Sequence, residues 1–422
     1  MNDTIRTSIL DLPRLSQSRS EKSLKIIGGA AWPGSHCPLH VARGMADMLT
    51  GLNTLVVGTQ ECAWHTHVNF SGRSQGGAKH YTYVLSESEI AFGCRKGVLA
   101  ALRSMAKEGA HIILMIFTCL PDLIGEDAEA IALDAQEEGI TALPVLLGHF
   151  RSLSYPIGYR KVMLALFPLL APRPKNAKQV NLIGFAKGQR QTEESELIRE
   201  LSAAGVSCRT VPQGCSLQEF QKMADAAACV ALLPPFCAFA AKMEKEFEVT
   251  AVDLGSAYAP ADIAAEYQKL FAALKTSSSD SLEKSREEAH TLYGEFKKAV
   301  AGKTFVLLRC GETAMALASF LAEAGMQPVF LHAEAILKED GGHISAILNC
   351  GFDPLTGHDA SLRLPAEELR ALKADVFIGF EGASPLYQAF PFVDPRPAHG
   401  QTGYLKSMRL MRDIMAKLGG VR

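Results

Sequence analysis

Cysteine is the residue type with the clearest capacity for chemistry in this 422-residue chain, which contains ten cysteines. The N-terminal stretch is polar and lacks the apolar core of a signal peptide, so we expect a cytoplasmic protein. Because the cytosol keeps thiols reduced, disulfides are not expected. The cysteines are therefore predicted to be core residues, reactive thiols or metal ligands, and their positions must distinguish these roles.

Three cysteines follow predicted strands, each at the point where the strand ends. They are Cys37 after Lys25–Gly28, Cys62 after Thr54–Gly58, and Cys119 after His111–Phe117. We expect the three strands in one parallel sheet, at whose carboxyl edge doubly wound proteins bind ligands. Helix N-termini at that edge favour thiolates. The pattern predicts a metal or iron–sulfur site, and three separate structural cysteines are the alternative.

Two of these cysteines also begin a Cys-x-x-His pattern, which allows a second interpretation as a metal site. Cys37 is followed by His40, and Cys62 is followed by His65. Two such pairs are sufficient to close a tetrahedral zinc site. Zinc remains the alternative to a cluster, although the third cysteine favours the cluster.

The elements that must position these residues alternate between short apolar strands and helices, which is typical of parallel sheets covered on both faces. The other predicted strands are Leu143–Leu147, Asn181–Phe185, Cys208–Val211, Cys229–Leu233, Glu248–Val252, Thr304–Leu308, Pro328–Leu331, Ile344–Leu348 and Val376–Phe380. Helical patterns include Pro38–Thr50, Lys96–Lys107, Leu282–Val300 and Thr313–Ala324. Five further cysteines fall mainly in strands and are expected to be core residues: Cys208, Cys215, Cys229, Cys310 and Cys350.

Two breaks divide this series, one proline-rich from residue 171 and one serine-rich from residue 276. They predict an N-terminal arm (1–23), three α/β domains with doubly wound parallel sheets (24–172, 178–275 and 302–422), and a linker helix within 276–301.

Composition and motifs exclude several classes of function. The net charge of −2 gives no basic field for nucleic acid. No apolar stretch approaches the roughly 20 residues of a membrane helix. Gly302-Lys303-Thr304 resembles the end of a phosphate-binding loop, but it precedes a predicted strand instead of following one. We therefore expect no membrane insertion and no ATP hydrolysis by this chain itself.

Five segments, in order along nearly the whole chain, resemble the subunits of nitrogenase component 1 and its nitrogenase-like relatives. These relatives include light-independent protochlorophyllide reductases, methylthio-alkane reductases and scaffold proteins for cofactor assembly. The segments are His36–Ala42, Val57–Ala63, Leu85–Gly93, Thr118–Asp127 and Cys310–Leu321. The most specific of the matching features is the set of three cysteines with its flanking residues.

The resemblance implies three Rossmann-like domains and an iron–sulfur cluster held by Cys37, Cys62 and Cys119, either 4Fe-4S or of the 8Fe-7S P-cluster type. In the family, this cluster lies between two homologous subunits of a heterotetramer and is charged by a separate ATP-hydrolysing iron protein. We expect a reductase subunit with such partners. The alternatives are a scaffold for metallocluster assembly and a cluster-free protein that binds a small molecule.

The resemblance also brings other residues into consideration. Cys94 begins a helix where the family more often has glycine, and it is either an extra cluster ligand or a packed thiol. Cys237 corresponds to the region that holds a larger iron–sulfur cofactor in nitrogenase, and it is either a ligand or a structural thiol. At the position of the histidine that holds this cofactor in the family, the chain has Phe390, which is expected to face the cavity between domains. His399 lies too far along the chain to replace that histidine. We therefore expect a substrate other than dinitrogen.

Overall fold

The computed structural model describes residues 9–20, 26–28, 37–70, 77–149, 156–184, 195–359, 366–379 and 390–419. The glycine-rich turn expected before Cys37 lies outside these residues, as do Lys25, His36, Phe185 and Phe380. The strands are β1 (Ile26–Gly28), β2 (Leu49–Thr50), β3 (Asn53–Gly58), β4 (His80–Val84), β5 (Ile112–Phe117), β6 (Thr141–Leu146), β7 (Asn176–Ile183), β8 (Ser207–Val211), β9 (Cys215–Ser216), β10 (Ala226–Ala231), β11 (Thr250–Asp253), β12 (Thr304–Leu308), β13 (Gln327–His332), β14 (Leu355–Asp359), β15 (Val376–Gly379) and β16 (Phe392–Val393).

The helices cover both faces of the sheets. They are α1 (Pro38–Met48), α2 (Gln60–Phe70), α3 (Glu87–Phe92), α4 (Arg95–Lys107), α5 (Cys119–Leu123), α6 (Ala128–Glu137), α7 (Pro156–Leu166), α8 (Glu196–Ala203), α9 (Leu217–Phe220), α10 (Cys237–Phe247), α11 (Pro260–Leu274), α12 (Asp280–Val300), α13 (Ala314–Glu323), α14 (Gly341–Asn349), α15 (Ala366–Ala371), α16 (Arg396–His399) and α17 (Gly403–Gly419). Among these described helices, none has the length and apolar character required to cross a membrane.

The strands form three larger parallel sheets, which confirms the predicted α/β fold class. Their orders are β4-β3-β5-β6, β11-β10-β7-β8 and β1-β14-β13-β12-β15-β16, and a small parallel pair joins β2 to β9. The linker helix is also present, as α12 between the second and third sheets along the chain.

Strand β5 illustrates why the first sheet is covered on both faces. It reads Ile-Ile-Leu-Met-Ile-Phe and is almost entirely buried. Leu114 and Ile116 join the apolar cluster under α1 and α7, whereas Ile113 and Met115 join the cluster under α4 and α6. Side chains alternate between the faces of a strand, so an unbroken apolar run requires cover on both sides.

The first predicted strand does not lie in the first sheet, contrary to expectation. It forms β1, which pairs with β14 so that Ile26 lies opposite His358 at the edge of the third sheet. The preceding arm follows the same sheet, because Leu15 donates its N–H to the Pro354 carbonyl at 2.9 Å. The chain therefore runs along the C-terminal sheet before it enters the first one. A short strand read from sequence carries no signal that tells which sheet it joins.

A second prediction was also wrong: the apolar run Ile344–Leu348 is not a strand but the middle of α14. Its buried residues, Ile344 and Ile347, are spaced three apart, which is helical spacing. Strands β4 and β14 were not predicted, since His80-Tyr-Thr-Tyr-Val and Leu355-Thr-Gly-His-Asp lack a continuous apolar run.

A buried carboxylate of the second α/β domain contributes to the contact of that domain with α17. Glu196 of α8 accepts the backbone N–H groups of Tyr404 at 2.9 Å and Leu405 at 3.3 Å. It also accepts the Tyr267 hydroxyl at 2.8 Å. These N–H groups lie in the first turn of α17 and have no partner within the helix, so Glu196 supplies their cap. Burial raises the pKa of Glu196 to about 7 despite these hydrogen bonds.

Candidate metal centre and adjoining domain junction

Cys62 and Cys119 lie beside each other at the carboxyl edge of the first sheet, as predicted. Cys62 is in the first turn of α2, directly after β3, and Cys119 is the first residue of α5, directly after β5. Strands β3 and β5 are paired, so their ends are neighbours in the sheet. Both side chains are partly exposed.

Gly58, the last residue of β3, leaves the space that the Cys62 side chain needs. A Cβ atom on Gly58 would lie 3.3 Å from Cys62 Sγ and 2.2 Å from Thr118 Oγ1. The Thr118 hydroxyl is itself fixed, because it donates to the Val57 carbonyl at 3.0 Å. Only glycine therefore fits at this strand end without movement of the neighbouring side chains.

Cys37 reaches the same edge from α1 and not from a strand of this sheet. It is the residue before α1, whose buried face shares an apolar cluster with Val56 and Leu114 of the first sheet. The helix is packed tightly from behind, since a Cβ atom on Gly158 of α7 would lie 2.8 Å from the Pro38 carbonyl oxygen. Cys37 is thus positioned by helix packing, with its thiol partly exposed.

The structure brings the three predicted thiols together. Burial raises the pKa of Cys37 to about 12, and the neighbouring Cys119 and Cys62 thiols add to the increase. The backbone N–H groups of Leu39 and His40 act in the opposite direction. Repulsion between three thiolates in one place is the situation that a bound cation relieves.

Backbone and hydroxyl donors approach the other two sulfur atoms. His149 donates its N–H to Cys119 Sγ at 3.2 Å, and the Thr59 hydroxyl lies 3.7 Å from Cys62 Sγ. Hydrogen bonds to the sulfur ligands tune an iron–sulfur cluster when one is bound. The donor set therefore fits thiolate ligation of iron.

The two Cys-x-x-His segments also bear on the alternative of a site for a single metal ion such as zinc. The His40 and His65 rings meet edge-on with centroids 5.8 Å apart, so both Cys-x-x-His segments do converge. Across the ranges that the structure describes, however, no three His, Cys, Asp or Glu side chains are grouped to hold one metal ion. Each thiolate of a cluster binds a different iron, so its ligands lie further apart than the ligands of one zinc ion.

Cys94 is placed with different neighbours. It is fully buried before α4, in the apolar cluster on the opposite face of the first sheet from the cluster that Cys37 and Cys62 contact. Its backbone N–H donates to Glu126 at 2.7 Å, and burial together with that carboxylate raises the pKa of the thiol to about 12. The structure thus does not group Cys94 with the other three cysteines.

The three larger sheets meet beside this centre, at a domain junction around α7, and Cys237 lies near that junction at the start of α10. Residues of α7, in the first α/β domain, contact both the second and the third domain. Arg160 forms a 3.1 Å ion pair with Glu339, and the Tyr159 ring lies 5.6 Å from that of Phe236. Such a meeting point beyond strand ends is where α/β proteins bind ligands.

Two acidic residues near this junction were not predicted from the sequence. Glu312 and Glu334 follow β12 and β13, which are neighbours in the third sheet. Burial and the nearby Glu334 carboxylate raise the pKa of Glu312 to about 7. The signal available in the sequence was an acidic residue soon after each of two predicted strands.

Phe390 packs within the third domain, which corrects the expectation that it forms an apolar wall between domains. Its ring packs edge-on against Phe377, with centroids 4.9 Å apart. Phe377 belongs to the cluster between the third sheet, α15 and the N-terminal arm, which includes Ile9. Phe390 therefore belongs to the core of the C-terminal unit. His399 ends α16, and its side chain lies outside the described part of the structure.

Comparison with protein families gives one match that covers most of the chain. Residues 37–418 match the model of the nitrogenase component 1 type oxidoreductases. The nitrogenase iron-molybdenum cofactor biosynthesis protein NifE of Bradyrhizobium diazoefficiens is 21% identical over 405 residues, covering 92% of this chain and 73% of that protein. The nitrogenase molybdenum-iron protein alpha chain of Methanosarcina barkeri is 31% identical over 121 residues, which are 26% of this chain and only 23% of that one.

A solved structure shows the same fold. It is titled nitrogenase Cp1 at pH 6.5, and it superposes with a TM-score of 0.67 over 93% of this chain and 95% of the other, at 18% identity. At that level of identity the similarity concerns the arrangement of helices and sheets.

Proposed function

The chain belongs to the nitrogenase component 1 type oxidoreductases, and on that premise we propose that it is one subunit of a nitrogenase-like reductase. Its iron–sulfur cluster is held by Cys37, Cys62 and Cys119. The observation that carries this proposal is the convergence of these three thiols, in which two neighbours act on Cys37. The N–H donor from His149 to Cys119 supports it further.

The group proposed here is a 4Fe-4S cluster or a larger 8Fe-7S cluster of the P-cluster type. When bound, it supplies storage and transfer of single electrons. This chain contributes three thiolates, the glycine that makes room for one of them, and a backbone N–H that donates to another. Because all three cysteines are partly exposed, the site is open to a second protein.

A homologous subunit is the proposed partner, in a heterotetramer. Three thiolates leave at least one iron of a cubane without a protein ligand, and a partner residue can fill that position. Large apolar side chains are exposed near the cysteines in sequence: Trp64 after Cys62 is 66% exposed, and Leu123 after Cys119 is 63% exposed. Exposed apolar groups of this size are typical of protein interfaces.

Electrons are proposed to come from a separate iron-protein-like ATPase. Gly302 and Lys303 precede β12, whereas a phosphate-binding loop follows its strand. The substrate is proposed to differ from dinitrogen, because the position of the cofactor's histidine is occupied by Phe390.

The second candidate is a scaffold for metallocluster assembly. It is favoured by one observation, the match over 92% of this chain to a relative named as a cofactor biosynthesis protein. The two functions differ in what happens to the metal. A reductase keeps its metal through repeated turnover, whereas a scaffold transfers a cluster to an acceptor protein.

The experiment is anaerobic co-purification with the partner subunit, followed by reduction with an iron protein and ATP. Iron retained through many cycles of reduction, measured by electron paramagnetic resonance, supports the reductase. Stoichiometric loss of iron to an acceptor protein supports the scaffold and contradicts the reductase.

A further inference from the structure

Thr59, the residue between β3 and α2, carries a hydroxyl group that reaches the sulfur atom of Cys62. It is half-buried and directly precedes Gln60, the first residue of the 11-residue helix α2. Its carbonyl oxygen accepts the backbone N–H of Ala63 at 3.1 Å, which is the first hydrogen bond of the helix. Thr59 is therefore the N-cap residue of α2, and Cys62 stands at the third helical position, N3.

The contact between these two side chains corresponds to a capping box in which sulfur takes the place of a carboxylate. Helix α9 shows the ordinary form: the Ser216 hydroxyl at the N-cap donates to Glu219 Oε2 at 2.8 Å, and the Glu219 N–H donates to Ser216 Oγ at 3.2 Å. At α2, the Thr59 hydroxyl donates to Cys62 Sγ at 3.7 Å. Sulfur is a larger and weaker acceptor than a carboxylate oxygen, which accounts for the longer contact.

This hydrogen bond should become stronger when Cys62 binds iron. Ligation removes the proton of the thiol, and a charged acceptor forms shorter hydrogen bonds that are roughly twice as strong as neutral ones. The Thr59 hydroxyl also lowers the pKa of the Glu61 carboxylate. That carboxylate is exposed, so water can replace the hydroxyl as its donor. The sulfur atom can therefore take this hydroxyl once it carries charge.

We propose that Thr59 is a positioning residue for the cluster: its hydroxyl donates to the Cys62 thiolate, orients that sulfur atom for ligation and raises the reduction potential of the cluster. Donation to a ligand sulfur draws negative charge away from the iron, so it stabilises the reduced state, which carries one more electron. The inference rests on the proposed function, since it requires the cluster at Cys37, Cys62 and Cys119. It adds a side-chain donor to the backbone N–H that His149 directs at Cys119.

The test is a redox titration of the anaerobically purified complex, followed by electron paramagnetic resonance, for Thr59→Val and Thr59→Ser. Valine keeps the shape of threonine and removes the hydroxyl, so the reduction potential should fall below that of the unmodified complex. Serine retains the hydroxyl and should restore the potential. Ser216→Ala is the matched control, because it removes an N-cap hydroxyl that bonds to a carboxylate. It should lower the free energy of unfolding, as loss of a cap does, and leave the potential unchanged.

The outcomes separate the hydroxyl from a general effect of the cap. An unchanged potential in Thr59→Val with iron retained would overturn the inference, as would an equal shift in Thr59→Ser or in Ser216→Ala. If Thr59→Val loses its iron, the serine variant decides: the iron content and potential of the unmodified complex in Thr59→Ser support the role of the hydroxyl, and loss of iron in both variants overturns it. Absence of iron from the unmodified complex contradicts the proposed function, whereas an unmoved potential in an iron-containing Thr59→Val complex contradicts this inference alone.

Discussion

Gly58 and Cys62 stand so close that the residue at position 58 controls the placement of the thiol. A Cβ atom on Gly58 would lie 3.3 Å from Cys62 Sγ. It would also lie 2.2 Å from Thr118 Oγ1, a distance that no real contact of this kind shows. Because Thr118 is buried and bonded to Val57, it has little freedom to move away. Packing at the end of β3 therefore determines the position of the Cys62 thiol in the cluster site.

Gly58→Ala should consequently damage the metal site. Thr118 and Cys62 must shift to admit the methyl group, and overpacking of this kind costs about 1–3 kcal/mol. We expect the purified complex to lose at least half of its iron, as measured by metal analysis, together with a lower free energy of unfolding.

Gly294→Ala is the control for this substitution. Gly294 lies within α12, and a Cβ atom there would meet nothing within 4 Å. Alanine should stabilise the helix by up to about 1 kcal/mol and leave the iron content unchanged. Full iron content in Gly58→Ala would show that the close approach at Gly58 does not matter to the site.

Cys94→Ala should leave the cluster in place. This thiol lies in the apolar cluster on the other face of the first sheet, so its loss should cost only packing, about 1 kcal/mol of stability. The electron paramagnetic resonance spectrum and the iron content should match those of the unmodified protein. An altered spectrum at unchanged stability would instead identify Cys94 as a ligand.

Phe92→Ala should weaken assembly with the partner subunit. Phe92 ends α3 and is 90% exposed, an arrangement that is costly in water and usual at an interface. We expect the dissociation constant, measured by sedimentation, to rise about fivefold or more. Leu133→Ala on α6 is the control, because Leu133 is 63% exposed but lies on another helix. Equal effects of both substitutions would remove the support for an interface at Phe92.

Glu196 should give the protein a measurable pH dependence of stability. Its pKa is raised from 4.5 to about 7 in the folded state, so the folded protein binds this proton more tightly than the unfolded chain. The contribution to stability is therefore complete below about pH 4.5 and is lost as the pH rises to about 7. A shift of this size corresponds to roughly 3 kcal/mol.

Glu196→Gln should remove this dependence. Urea unfolding across the same pH range should show the unmodified protein losing stability relative to the variant as the pH rises. Glu287→Gln, at an exposed position of α12, should follow the unmodified protein. Parallel curves for Glu196→Gln and the unmodified protein would mean that Glu196 does not titrate in this range.

The sequence was sufficient to predict the α/β class and the position of Cys62 and Cys119, because both follow strands with a strong apolar signal. It placed Cys37 near them for the wrong reason. The strand before Cys37 pairs with β14 in the third sheet, and the thiol reaches the site through the packing of α1. Pairing between segments far apart in the chain is set by tertiary contacts, which local patterns do not record.

The surroundings of Cys237 and Phe390 show the same limit more strongly. Cys237 and Phe390 were compared with ligand positions, but their surroundings are set by residues that are distant in the chain and brought close by folding. Asp253 comes to Cys237 from the adjacent strand, and Phe377 comes to Phe390 from the sheet beneath it. A ligand position can be aligned from sequence, whereas the charge and packing around it cannot.

The most direct test of the central claim is the iron and sulfide content of the complex, purified without oxygen, for the unmodified chain and for serine variants at Cys37, Cys62 and Cys119. We predict a brown protein with iron and acid-labile sulfide, and loss or conversion of the cluster signal in electron paramagnetic resonance for each variant, with the fold retained by circular dichroism. A colourless protein with one zinc ion per chain, or iron that survives all three substitutions, would contradict the account.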